Sequence, residues 1–238
     1  MDNCLDQTAV HYNHHVHMPI LDTAFFNRDA CLVAQQLLGK VIRRKYREHW
    51  LSARIIETEA YYLEDKGSHA SLGNTEKRKA LFMPAGTIYM YYARGKASLN
   101  VSCKGKGNAV LIKSAYPVSD IHSPPAAIEI MQQLNPAISG ELRPVEKLCN
   151  GQTLLCKSLD LTVNEWDQQQ FDKESFYIEN INKIPEKIIQ TTRLGIPAGR
   201  DANLPYRFIE YKFARFCTSN PLTKRNIDKN LHIIVKPV

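Results

Sequence analysis

The sequence has no apolar run long enough to span a bilayer and no charged-then-apolar leader, so neither a membrane segment nor a secretion signal is expected. It also lacks paired cysteines. None of Cys4, Cys31, Cys103, Cys149, Cys156 and Cys217 stands in C-x-x-C spacing, which excludes a zinc ribbon and suits reduced, mostly buried thiols. No internal repeat, low-complexity linker or break in composition divides the chain. With 238 residues, 44% of them hydrophobic, it can bury a proper core as a single soluble intracellular domain spanning 21–238.

What the composition has in excess is positive charge. A net charge of +7 favours an anionic partner, nucleic acid first. Residues 1–20 read as a mobile polar tail. Its His11, His14, His15 and His17 have no cysteine or acid at ligand spacing, so no metal is expected there. From Asn27 the chain turns regular. Asn27 or Asp29 can cap a helix whose apolar stripe runs through Cys31, Leu32, Ala34, Leu37 and Leu38, and Gly39 supplies its stop. A strand through Val41 and Ile42 follows, then a polar turn into a second strand.

That second strand reads Arg54-Ile-Ile-Glu-Thr-Glu-Ala-Tyr-Tyr62. A period of two predicts Glu57, Glu59 and Tyr61 on one face and Ile56, Thr58, Ala60 and Tyr62 on the other. Like charges on one face repel, so the strand is either an edge with a solvated acidic face or part of a site that needs carboxylates. The stretch 63–79 has no clean period and holds His69 and the basic run Lys77, Arg78, Lys79. A loop of this length is either functional or disordered, and His69 taken alone reads as a surface residue.

Thr87–Arg94 is predicted as a strand with Tyr89 and Tyr91 on one face, and Gly95-Lys96 turns it into Ser98–Ser102, leaving Arg94 at the hairpin tip. A further turn, Lys104–Asn108, leads to the strand Ala109–Tyr116, in which Lys113 either snorkels to an edge or faces a polar cavity. Farther on, Pro124–Leu134 and Val145–Leu155 read as helices, Phe208–Phe216 as a strand with alternating aromatics, and Lys224, Arg225, Lys229 and Lys236 as a basic tail. An antiparallel meander carrying carboxylates, tyrosines and cations suits an unstacked nucleobase: rings hold the base, cations hold phosphates and a carboxylate does chemistry. Tyrosines so placed also suit an ordinary core.

Taken together, Ile56-Glu-Thr-Glu-Ala-Tyr61, His69, Met83-Pro-Ala-Gly-Thr-Ile-Tyr-Met-Tyr91, Gly95, Leu99-Asn-Val101 and Ala109-Val-Leu-Ile-Lys113 resemble the alkyladenine (3-methyladenine) DNA glycosylase family. Leu37-Leu-Gly-Lys40, Leu148-Cys-Asn-Gly151, Leu155-Cys156, Arg193-Leu-Gly-Ile196 and Leu204-Pro-Tyr-Arg-Phe208 extend the resemblance in the same order. The resemblance implies an α+β fold: a single mixed domain around a curved antiparallel sheet, with a protruding β-hairpin and flanking helices. It implies a monofunctional enzyme that hydrolyses the N-glycosidic bond of alkylated or deaminated purines flipped out of duplex DNA, leaving an abasic site. No metal or organic cofactor is implied. The partner would be double-stranded DNA containing damaged purines, met by a monomer away from membranes, in the nucleoid of a bacterial cytoplasm or in a eukaryotic nucleus.

By position in those motifs, the resemblance makes Glu59 the general base, with Lys113 beside it in the catalytic group. Tyr61, His69 and Tyr91 become the walls around the flipped base, and Asn100 the group that resists guanine by crowding its exocyclic amine. Arg94, Lys96 and Arg78 become DNA contacts. Glu57 falls to a supporting role, because only Glu59 stands two residues before the tyrosine of the motif. The chain also departs from the family pattern. Arg94 stands where a tyrosine usually fills the gap left by the flipped nucleotide, in a hairpin one residue shorter, and the wedge role either passes to the arginine or is lost. Lys113 replaces an arginine, and Gln152 and Leu154 replace a proline and a lysine. These departures leave a second reading, a damaged-DNA binding relative with little or no turnover.

Overall fold

Asp22 and Asp29 each cap a helix. Asp22 accepts the Phe25 amide at the start of α1, Thr23–Phe26, and Asp29 accepts the Leu32 amide at the start of α2, Ala30–Leu37. Gly39 ends α2 with a φ of +86°, and a Cβ there would meet the Lys183 carbonyl at 2.3 Å, so glycine is required on both counts. The computed structural model describes residues 20–93, 95–224 and 232–237. The expected tail with its four histidines, Cys4, Arg94, Arg225 and Lys229 lie outside the described residues.

Nine strands among the described residues form one antiparallel sheet: β1 (Val41–Tyr46), β2 (His49–Tyr61), β3 (Ile88–Ala93), β4 (Lys96–Ser102), β5 (Ala109–Pro117), β6 (Phe176–Glu179), β7 (Ile188–Thr191), β8 (Arg207–Glu210) and β9 (His232–Val235). Their order is β3-β4-β5-β2-β8-β7-β9, while β1 pairs with β2 and β6. The long β2 is central: β1 and then β8 pair along it, and β5 runs antiparallel beside it. Helices α2, α3 (Pro125–Leu134) and α4 (Gln152–Ser158) cover one face, and α5 (Val163–Trp166) packs by β3. Between helices and sheet lies the main core, where Val33, Leu37, Ile55, Val110, Ile112, Met131 and Leu155 are buried. Each such side chain contributes roughly 1.5–3 kcal/mol of burial energy. The mixed α/β architecture around a large antiparallel sheet is the one the resemblance implied.

Three local expectations are corrected. The pairing of β2 with β5 shifts between Ile55 and Glu57 and again between Glu57 and Thr58, a β-bulge that reverses the phase of the strand. Leu51, Ala53 and Ile55 face the main core before it. Ala60 faces that core after it, and the Thr58 hydroxyl donates to the Ala34 carbonyl at 2.8 Å. Ile56 therefore does not share a face with Thr58 and Ala60; it packs with Ile189, Ile209, Ala214 and Cys217 on the other side. The helix expected over Val145–Leu155 is a 3₁₀ turn, Val145–Lys147, and the separate α4, split by Gly151 with a φ of +94°. The strand expected over Phe208–Phe216 ends at Glu210 and becomes a 3₁₀ helix, Tyr211–Phe216. Phe213 and Phe216, three apart, then both reach Tyr116, which matches a period of three better than of two.

Among the described residues no helix is long and apolar enough to cross a membrane. Cys103, Cys149, Cys156 and Cys217 are buried free thiols and Cys31 is half-buried; burial pushes the thiols of Cys149 and Cys156 up to about 12.

Candidate active site

The sheet register assembles the site. Tyr89 pairs with Asn100, Asn100 with Leu111, Leu111 with Glu59, and Glu59 with Arg207. Directly opposed residues share a face, so these five form one row across β3, β4, β5, β2 and β8. Two residues farther along their strands, Tyr91, Lys113 and Tyr61 continue the same face. A cavity of about 720 Å³ opens above it, bordered by Tyr61, His69, Tyr89, Tyr91, Asn100, Lys113 and the Leu194–Pro197 segment. That volume falls within the range of small-molecule sites.

The solvated acidic face is ruled out, because Glu57 and Glu59 are each 0% exposed. The two acids differ in what they touch. Glu57 is saturated by groups of the fold: Arg207 at 2.6 Å, the Thr218 hydroxyl at 2.6 Å, the Thr218 amide at 3.0 Å and the Ser114 hydroxyl at 2.5 Å. Glu59 is tied to the cavity wall. Its Oε2 accepts the Tyr61 hydroxyl at 2.7 Å, and its Oε1 accepts the Leu194 amide at 3.0 Å. Lys113 Nζ stands 3.4 Å from Oε1 and Arg207 Nε 3.9 Å from it. Tyr61, Lys113 and Leu194 all border the cavity, so Glu59 lies one layer behind its surface. Burial pushes the Glu59 carboxyl up, yet Lys113, Arg207, the Leu194 amide and the Tyr61 hydroxyl together hold it below the usual carboxylate range. The Tyr61 hydroxyl is pushed well above its ordinary value, first by burial and then by Glu59, which keeps it a donor.

Opposite stands an aromatic wall. Tyr89 and Tyr91 stack with centroids 5.3 Å apart and planes at 23°. The His69 ring lies 4.2 Å from Tyr91, and its Nδ1 is 3.0 Å from the Tyr89 hydroxyl. His69 is exposed, as a surface residue would be, but it stands at the cavity rim with its ring packed on Tyr91. Desolvation beside these rings, and then the charges of Arg78 and Arg200, hold its imidazole below the usual range. The loop 63–79, expected to be either functional or disordered, is ordered: it holds the 3₁₀ turn Ala70–Leu72 and the start of a second 3₁₀ helix, Glu76–Phe82. Close packing holds it in place: a Cβ on Gly107 would come within 2.9 Å of both Ala70 and Leu63. Asn100 donates its amide to the Tyr89 carbonyl at 3.1 Å, which fixes its side chain at the cavity wall.

The structure thus brings together Glu59, Tyr61, His69, Tyr91, Asn100 and Lys113, and Lys113 faces the cavity rather than an edge. Lys96 is exposed at the mouth. Arg78 donates to the carbonyls of Gly73 at 2.8 Å and Leu72 at 3.0 Å, clasping the His69 loop. Gln152 and Leu154 border the cavity from α4. Sequence reasoning missed Arg207 and Arg193 as individual residues, although both stand in quoted motifs, because their partners Glu57 and Asp65 lie 150 and 128 residues away. Among the described residues no group of three or more His, Cys, Asp or Glu could hold a metal ion.

Stacked aromatic rings on one side of a cavity and a buried carboxylate behind its wall are the two features that single out this site. Residues 24–212 match the family model described as Methylpurine-DNA glycosylase (MPG). Among curated proteins, one of Pseudomonas savastanoi pv. phaseolicola named "Putative 3-methyladenine DNA glycosylase" is 62% identical over 204 residues, covering 86% of this chain and 92% of its own. A protein of the same name from Pseudomonas aeruginosa is 58% identical over 217 residues, covering 91% and 90%. A third, from Clostridium beijerinckii, is 35% identical over 195 residues, covering 79% and 94%. The chain belongs to the methylpurine-DNA glycosylase family, a family of N-glycosyl hydrolases.

Proposed function

We propose that this protein is a DNA repair glycosylase that takes an alkylated or deaminated purine, flipped out of duplex DNA, into the cavity and hydrolyses its N-glycosidic bond. The observation that carries this reading is Glu59: a fully buried carboxylate held ionised by Lys113 and Arg207 and hydrogen-bonded to groups that border an aromatic cavity. As the bond from C1′ to the base nitrogen breaks, its electron pair leaves with the base and the sugar takes on oxocarbenium character. An ionised carboxylate there stabilises that positive charge and accepts the proton of the water that bonds to C1′. General-base assistance contributes about 10²- to 10⁴-fold. Tyr91 and His69 supply stacking surface, worth roughly 1–3 kcal/mol per base. The pinned amide of Asn100 crowds the exocyclic amine of guanine. Lys113, where the resemblance has an arginine, keeps the positive charge at Glu59.

Lys96 at the mouth and the net charge of +7 draw in the phosphate backbone. The protein works inside the cell, on double-stranded DNA. Incubation with a short duplex holding one hypoxanthine or one 1,N6-ethenoadenine, followed by alkali, tests the reading. Strand cleavage at the lesion is expected, and undamaged duplex stays intact. Lesion duplex that is bound without cleavage on either substrate would instead make the protein a damage-binding relative.

A further inference from the structure

Behind the cavity wall, the guanidinium carbon of Arg193 lies 4.5 Å from the ring centroid of Tyr61 and 5.5 Å from that of Tyr206. The Arg193 side chain is fully buried. Nη1 donates to the Ala60 carbonyl at 3.0 Å and to Asp65 Oδ2 at 2.7 Å. Nε and Nη2, also buried, meet no acceptor among the described residues, so the ring faces are what this side of the cation has for company. Tyr61 borders the cavity and Arg193 does not. The tyrosine ring therefore stands between a fixed interior cation and the space where a base would bind, with its hydroxyl held on Glu59.

A cation over one face of an aromatic ring draws π density toward itself. A second cation stacking on what remains of the ring gains less and is repelled by the first, whereas a neutral purine loses little. Asp65 meets the guanidinium at Nη1, leaving Nε and Nη2 without a carboxylate partner among the described residues. We infer that Arg193, acting through Tyr61, biases the site toward neutral lesions and against cationic N-alkylpurines. The inference rests on the glycosylase reading above, and Arg193 serves it as a positioning residue that never touches the base.

The test compares single-turnover excision of 3-methyladenine, a cationic lesion without guanine's exocyclic amine, with that of hypoxanthine, a neutral one, in otherwise identical duplexes. In an Arg193→Met/Asp65→Asn variant both buried charges go together, so neither is stranded. The ratio of cationic to neutral excision is expected to rise by roughly two- to thirtyfold, the span of a single cation–π contact. Asp65→Asn alone is a smaller change that leaves Arg193 less compensated, and it is expected to lower the same ratio. It also keeps the idea open to refutation if the double variant does not fold. Parallel changes in both rates, with the ratio fixed in whichever variant folds, would overturn the inference while wild-type excision preserved the glycosylase reading. A wild type that excises neither lesion would sink that reading and this inference with it.

Discussion

Lys113 Nζ stands 3.4 Å from Glu59 Oε1, a cation at the edge of the cavity facing a carboxylate with no exposed surface. The pair settles where the lysine of β5 points. It also sets the protonation of Glu59, because burial alone would favour the neutral acid and the neighbouring charges reverse that preference.

The pH profile should carry this. With its carboxyl held below the ordinary value of about 4.3, Glu59 stays ionised through the weakly acidic range. Its contribution to stability is likewise present above that value and is lost as pH falls through the lower folded one. Lys113→Met is expected to move the acid limb of kcat/KM upward, whereas Lys113→Arg leaves it in place. An unmoved limb in Lys113→Met would show that the lysine does not govern the acid.

Arg207 joins both acids, at 2.6 Å from Glu57 and 3.9 Å from Glu59. Arg207→Met strands buried charge, so a loss of about 3–5 kcal/mol in urea unfolding is expected, with the acid limb raised as well. A loss under about 1 kcal/mol would mean that Ser114 and Thr218 suffice for Glu57.

Asn100 is held against the Tyr89 carbonyl and cannot swing out of the cavity without losing that bond. Asn100→Ala is expected to admit undamaged guanine and so to produce alkali-labile sites at guanines that wild type leaves intact. If guanine stays untouched, discrimination lies elsewhere in the pocket.

Salt reports on the mouth. Lys96→Ala should flatten the slope of log K against log salt by no more than about 0.9, the share of one phosphate contact, while lesion preference is unchanged. An unaltered slope would place Lys96 outside the DNA footprint.

Much of the site could be read along the chain because its parts are local. The alternation of β3 to β5, the Asp29 cap and the stacked Tyr89 and Tyr91 all follow from spacing over a few residues. The β2 bulge could not be read: it reverses the strand's phase so that Ile56 meets Ile189 and Ile209 from distant strands. Arg207 was equally out of reach, since it stands 150 residues from Glu57 and only the antiparallel pairing of β2 with β8 joins them. Gly151, by contrast, was in plain view as the break between Val145–Lys147 and α4, but helical spacing on either side of it masked the interruption.

Glu59 is the centre of this account, and Glu59→Gln is its most direct test, since the amide keeps the side chain's shape and removes its charge. Single-turnover excision of hypoxanthine from a short duplex is expected to slow by at least about 10²-fold while binding to the lesion duplex is retained. Excision by Glu59→Gln at the wild-type rate would contradict the account outright.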